Sequence, residues 1–168
     1  MDTTVDIETT QYLTFRLADE IYALDIGKVR EVLDFGAVTR VPRTPDFLRG
    51  VINLRGSVVP VADLRLRFGM SMTEKTVNTC VIITEVSVDG EAVVLGMLAD
   101  SVQEVIQLDQ KGITPPPKIG TRVRTDFIRG MASRDDRFLI ILDIDKVFSS
   151  DDIALVRQSE TQPEPGQN

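Results

Sequence analysis

Two adjacent carboxylate pairs, Asp135-Asp136 and Asp151-Asp152, and a single thiol, Cys80, are the residues of this chain that come nearest to reactive chemistry. Paired carboxylates bind metal or move protons when both point into one site. Neighbours on a strand face opposite ways, however, and aspartates gather at turns and helix starts because they accept local backbone hydrogen bonds. The turn-and-cap reading outweighs the catalytic one. The sequence contains no histidine, which removes the commonest general base, the commonest metal ligand and any phospho-accepting imidazole. One cysteine without histidine cannot fill a tetrahedral zinc site. The strings G-x-S-x-G, G-x-x-x-x-G-K-S/T and G-x-G-x-x-G are all absent. No catalytic residue, cofactor or metal is expected.

The elements that carry these residues nearly repeat. Phe47-Leu48-Arg49-Gly50 recurs as Phe127-Ile128-Arg129-Gly130, and the register holds through Val58–Val61 against Phe138–Ile141. It continues with Asp63 over Asp143 and Phe68 over Phe148. A weaker echo sets Lys28-Val29-Arg30-Glu31-Val32 against Ser101-Val102-Gln103-Glu104-Val105. Two halves with one order of signals imply two copies of a small fold, and a duplicated module without chemistry points to binding.

Segments 12–17 and 21–26 read as strands joined by a polar turn at 18–20. Pro42 and Pro45 bracket a loop, and Pro60, with no N–H, predicts a sheet edge or a bulge. Asp89-Gly90 between Val81–Val88 and Glu91–Leu98 is the pair a type I′ hairpin turn demands. Pro115-Pro116-Pro117 is a stiff connector. Ser149-Ser150-Asp151-Asp152 predicts a capping box opening a short helix, placed at 151–157. About ten short strands and one terminal helix make a mostly β fold of two small barrels.

At 168 residues with 42% hydrophobic and 27% charged content, the chain is long enough to bury a core. No run reaches the roughly 18 apolar residues of a membrane span, and the first residues are too acidic for a signal peptide. The lone Cys80, in an apolar run, suggests a buried thiol in a cytosolic protein. The net charge of −7 lies at the ends, −3 in residues 1–10 and −3 in 151–168. Residues 40–67 carry six arginines against Asp46 and Asp63, a local +4. Single-stranded nucleic acid is a poor fit, because stacking needs aromatic platforms and there are two tyrosines and no tryptophan.

The string from Gly50 through Asn53-Leu54-Arg55-Gly56 and Val58-Val59-Pro60-Val61 to Asp63-Leu64-Arg65 resembles the signature of the CheW family, the coupling proteins of bacterial chemotaxis. It is also similar to the regulatory domain of the kinase CheA. Asp25-Ile26-x-Lys28-Val29-x-Glu31-Val32, Thr39-Arg40-Val41-Pro42 and Phe127-x-x-Gly130 extend the likeness over about 11–157. The resemblance implies two SH3-like five-stranded β-barrels in tandem pseudo-repeat with a short C-terminal helix. The halves would fall near 11–79 and 80–150, with exchange of strands between them left open. A flexible acidic N-terminus over 1–10 and a disordered tail over 158–168 would flank them. A CheA kinase would add a phospho-accepting histidine and an ATPase module, and a CheV adaptor a receiver domain, so the stand-alone coupling protein matches better.

By that resemblance the protein is a non-enzymatic cytoplasmic adaptor, recruited to membrane-associated arrays. It would join chemoreceptor cytoplasmic tips to CheA, without nucleic acid or direct membrane insertion. The receptor groove would fall on Ile26, Val29, Glu31 and Arg55, with Glu31 and Arg55 as partners. The competing readings are core packing for Ile26 and Val29 and a surface ion pair for Glu31–Arg55. Kinase contact would fall on Val38, Arg40, Val41, Val58 and Val59, while Gly50 and Gly56 serve as structural turns. The alternative is a generic β-barrel protein-binding module of a related, non-motility kinase pathway.

Overall fold

The computed structural model describes residues 9–116 and 125–161, with side chains through 156. Ten strands follow in chain order. They are β1 (Thr9–Leu17), β2 (Glu20–Asp25), β3 (Val29–Asp34), β4 (Leu48–Leu54) and β5 (Ser57–Asp63), then β6 (Cys80–Val88), β7 (Glu91–Ala99), β8 (Ser101–Asp109), β9 (Ile128–Arg134) and β10 (Arg137–Leu142). Helices α1 (Leu64–Arg67) and α2 (Ile144–Val147) follow β5 and β10, and α3 (Ser150–Thr161) closes the described chain. The strands form two five-stranded sheets, ordered β8-β1-β2-β10-β9 and β3-β6-β7-β5-β4. Each is antiparallel except for one parallel contact, β10 on β2 and β5 on β7.

The mostly β expectation of two five-stranded units holds, but the sheets do not coincide with 11–79 and 80–150. The hairpin β1–β2 joins β8, β9 and β10, while β6–β7 joins β3, β4 and β5. Each repeat thus lends its first hairpin to the other's sheet. One cause is visible at Asp100, the single residue between β7 and β8. A chain reversing onto its own neighbour needs about two turn residues, so β8 leaves for the other sheet.

Three two-residue turns have both central residues at positive φ: Arg55-Gly56, Asp89-Gly90 and Asp135-Asp136. Asp89-Gly90 joins β6 to β7 as its residues require. Asp135-Asp136 is the β9–β10 turn, with φ of 53° and 64°, so this carboxylate pair is turn chemistry. Asp152 belongs to a cap: its N–H donates to Ser149 Oγ at 3.1 Å, and its carboxylate accepts from the Ser149 N–H at 2.9 Å. The helix so opened runs to Thr161, beyond the expected end at 157, with Ile153 and Val156 buried against the sheets. Residues 158–161 are therefore helical and not part of a disordered tail; 162–168 lie outside the described residues. At the other end Thr9 and Thr10 belong to β1 and not to a flexible terminus, while 1–8 lie outside.

Pro60 occupies an internal strand, with neither edge nor bulge at its own position. Its partner across β4 is Val51, whose N–H and C=O both bond Thr39 on the opposite side, at 2.8 and 2.9 Å. Val51 and Pro60 are thus a non-hydrogen-bonded pair, and the parallel ladder to β7 begins only at Val61. The missing N–H falls where none is used. The bulge lies in β4 itself, between Leu48 and Gly50. Cys80, at the start of β6, is half-buried and donates to the Asn78 carbonyl at 3.2 Å, so it is less enclosed than its apolar run suggests.

A shared core fills the space between the sheets, with Phe15, Tyr22, Leu64, Ile82, Met97 and Phe148 among its members. Each barrel keeps a smaller core of its own, around Tyr12 and Ile141 in one and Val61 and Ile83 in the other. The duplication survives in detail. The Asp63 N–H donates to Phe47 O at 2.6 Å and the Asp143 N–H to Phe127 O at 2.8 Å, while Thr39–Val51 and Thr114–Met131 are matching bridges.

Gly50 sits within β4 and not in a turn. At φ +145°, a Cβ there would stand 2.2 Å from Thr39 O. Gly56 has φ +90° but open space around it. Gly50→Ala should therefore destabilise the protein by more than about 2 kcal/mol in denaturant unfolding. Gly56→Asn, which tolerates the left-handed region, should cost well under about 1 kcal/mol. Equal losses at the two positions would contradict the close-approach account.

Candidate protein-interaction site

β3 and β4 are the two edges of one sheet, and the sheet curls until they approach each other. Glu31 on β3 and Arg55 in the β4–β5 turn form an ion pair across this gap. The guanidinium stays 70% exposed while the carboxylate is largely sheltered. The Arg55 pKa is raised, first by its hydrogen bond to Glu31 and then by that carboxylate's charge. Asn53 Oδ1 accepts from the Gly56 N–H at 2.9 Å and stiffens the turn that carries Arg55. Asn53-Leu54-Arg55-Gly56 therefore places a fixed cation at a barrel mouth.

That mouth is a cavity of about 560 Å³, walled by Arg30, Leu54, Val58, Ile83 and Val94 beside the ion pair. Arg30 is itself paired with Glu85 on β6. The arrangement is a mixed pocket, with an aliphatic wall of Leu54, Val58, Ile83 and Val94 beside Glu31 and two held arginines, able to grip an apolar side chain and a neighbouring carboxylate together. Reading residues one at a time missed Arg30, Ile83 and Val94. Only the β3–β6 pairing, invisible in local periodicity, brings them to the mouth.

Ile26 and Val29 do not join Glu31 there. Val29 pairs with Thr84 but Glu31 pairs with Ile83, a register shift that turns the two residues to opposite faces. Val29 and Ile26 are half-buried against the shared core. The same short helical turn carries Lys28, whose ammonium meets Asp145 at 2.8 Å; that carboxylate also accepts from the Ser87 N–H at 2.8 Å. Asp145 thereby ties the second repeat to the turn.

The residues assigned to kinase contact divide as well. Val58, 46% exposed, and Val59, 4% exposed, both line the mouth with Arg55, and Val59 is at the same time part of the barrel core. Val38 is half-buried against that core, and Arg40 and Val41 stand on the loop after it. That loop pairs with β4 through Thr39, and Arg40 and Val41 line a cavity other than the mouth.

A polar network missed in the sequence links the sheets behind the mouth. Arg65 Nη2 donates to Asp100 at 2.8 Å, and Asp100 also accepts from the Ala18 N–H at 2.8 Å. Burial is the largest single influence on Asp100 and raises its pKa. The hydrogen bonds from Arg65 and Ala18, with the charges of Arg65 and Arg16, together outweigh it, so the net direction is down. A twin-barrel body with held arginines at one barrel mouth defines a module of tandem SH3-like type.

The family model described as a CheW-like domain matches residues 11–152, and the chain belongs to that family. It is 39% identical over 146 residues to the chemotaxis protein CheW of Klebsiella aerogenes, covering 87% of this chain and 86% of that one. The CheW of Rhizobium meliloti is 32% identical over 142 residues, 84% of this chain and 89% of its own. The crystal structure of the scaffolding protein TtCheW from Thermoanaerobacter tengcongensis superposes with a TM-score of 0.74 at 38% identity, over 85% of this chain and 90% of that one. The chain is thus a chemotaxis adaptor of the CheW type and not an enzyme. Among the described residues no helix is long and apolar enough to cross a membrane.

Because the Asp100 pKa is depressed on folding, its contribution is complete above the ordinary aspartate value of about 3.9 and is lost as pH falls through the lower folded value. Asp100→Asn keeps an acceptor for Ala18 but removes the charge. It should lower stability at neutral pH by about 1 kcal/mol and narrow that gap steadily below about pH 4. Thermal unfolding across pH measures both. A constant gap down to strong acid would show that the ion pair with Arg65 carries no stability.

Proposed function

We propose that the protein couples chemoreceptor cytoplasmic tips to the histidine kinase CheA, in the cytoplasm, within membrane-associated signalling arrays. The observation that carries this reading is the Glu31–Arg55 pair across the barrel mouth. A receptor tip is a helical surface, and an aliphatic wall beside a fixed cation suits an exposed apolar side chain next to a carboxylate. Because Val58 lines the same mouth as Arg55, this reading moves it from the kinase contact to the receptor contact. Ile26 and Val29 support the adjoining turn from the shared core, leaving Lys28 and Arg30 as the groups that meet the receptor beside them. The kinase's regulatory domain then takes the separate face formed by Val38, Arg40 and Val41. Two partners on two faces of one rigid body is the geometry a coupling role requires.

Arg55→Glu sets two carboxylates against each other at the mouth. The fold should survive, since the barrels rest on their apolar cores and an exposed pair contributes little. Receptor-tip capture should fail, because the cation is replaced by a repulsive charge. The charge-swapped Glu31→Arg, Arg55→Glu protein should fold fully and recover capture only in part. Circular dichroism reports the first property and pull-down with receptor tips the second. Unchanged capture by Arg55→Glu would remove Arg55 from the site.

A further inference from the structure

The start of β3 is held by a side chain from the other repeat. Lys28 ends the single helical turn Ile26–Lys28, and Arg30 and Glu31 follow shortly after it on the wall of the mouth. The Lys28 ammonium meets Asp145 Oδ2 at 2.8 Å, while Oδ1 of the same carboxylate accepts from the Ser87 N–H at 2.8 Å. Both members of the ion pair are partly buried. The β3–β6 ladder ends at the Val29–Thr84 pair. Past that point side chains join the two elements, first Arg30 to Glu85 and then Lys28 through Asp145 to Ser87. A cavity of about 330 Å³ lies along this seam, with Lys28, Glu85 and Ser87 in its lining. Asp145 is itself fixed, because Ile144 and Val147 of α2 are buried in the shared core.

What this link protects is register. β3 carries a bulge at Arg30, with Val29 opposite Thr84 but Glu31 opposite Ile83. A slip of one residue there would turn Glu31 away from Arg55. Pinning Lys28 on one side of the bulge and pairing Glu31 on the other leaves the strand one arrangement. The other half of the molecule has a matching link, in which Asp100 holds Arg65 and accepts from the Ala18 N–H, each at 2.8 Å. The hairpin tip of that half is Asp135-Asp136, so its link serves no arginine mouth.

We infer that Asp145 is a positioning residue for receptor binding: acting through Lys28, it holds the bulged start of β3 so that Arg30 and Glu31 stand at the mouth. The inference rests on the receptor-coupling reading above, to which it adds a residue of the second repeat that lies outside the mouth.

Calorimetric titration of the full chain with a receptor-tip fragment, and separately with the CheA regulatory domain, tests it. Asp145→Asn keeps an acceptor for the Ser87 N–H but cannot hold the ammonium. It should weaken receptor-tip binding about three- to fivefold, the effect of one partly exposed ion pair, and leave kinase-domain binding unchanged. Lys28→Met, which keeps the apolar stem, should weaken receptor binding at least as much. Adding Asp145→Asn to Lys28→Met should change nothing further. Asp100→Asn, the matched loss in the other half, should lower thermal stability without altering receptor affinity. Amide hydrogen exchange at Arg30 and Glu31 should quicken in Asp145→Asn and stay constant at Thr39. Circular dichroism confirms that the variants fold. If the unmodified protein fails to bind the receptor tip, the coupling reading falls and this inference with it. If it binds and Asp145→Asn binds equally well, or exchange at Arg30 and Glu31 is unchanged, this inference alone falls. Losses at the two positions that multiply would overturn it, by showing that Asp145 does not act through Lys28. An equal loss toward the kinase domain, or in Asp100→Asn, would overturn it by showing a general loosening of the fold.

Discussion

A guanidinium group sits where the two sheets meet. Arg67, the last residue of α1, places its charge 5.5 Å from the Phe47 ring, 5.4 Å from Phe127 and 5.8 Å from Phe148. Its Nε donates to Val147 O at 2.9 Å, and its Nη2 meets Asp152 at 2.9 Å. Phe47 comes from one repeat and the other two rings from its counterpart, so the cation binds both repeats and the start of α3 at once. Each desolvated cation–π contact contributes up to about 2 kcal/mol, and the carboxylate supplies the charge balance that burial requires. With the hairpins exchanged, neither sheet is the product of one continuous repeat. The junction around Arg67 is what makes two surfaces face outward in fixed relation.

A second buried polar centre transmits that order to the loops. Asp63 is fully buried, and its carboxylate accepts from the Arg65 N–H, the Thr73 N–H and hydroxyl, and Arg49. It therefore starts α1, holds the connector after it and fixes Arg49 on β4. Arg49 in turn stands over the Phe35 ring at 5.5 Å and lines the same cavity as Arg40 and Arg43.

How much of this was legible depended on the range of the interaction. The Phe47 motif and its copy at Phe127 show by direct comparison of the two halves, while the Asp89-Gly90 hairpin and the Ser149–Asp152 cap involve residues a few positions apart, and local patterns reported them well. The Glu31–Arg55 pairing spans 24 positions and was reached through resemblance, not periodicity. Pro60 misled because its meaning depends on where Val51 directs its hydrogen bonds, toward Thr39. Val29 misled because a bulge beside Arg30 reverses the face that alternation assigns to it. The Arg65–Asp100 contact and the exchange of hairpins are properties of the assembled sheets, for which short windows hold no signal.

The two repeats share their framework but not their hairpin tips. Both repeats keep the groups that build a barrel: the phenylalanine before the strand, the glycine where another backbone crosses, the aspartate after the hairpin. They differ at the hairpin tip. Arg55-Gly56 in one repeat corresponds to Asp135-Asp136 in the other, and Glu31 to Glu104. In the first copy the tip and the edge strand carry opposite charges and close on each other. In the second both are acidic and would repel, so the same ion pair cannot form. Framework positions are shared because the two sheets need the same geometry to pack on one core. Tip positions are free of that constraint, and only one copy holds an arginine fork against a carboxylate at its mouth.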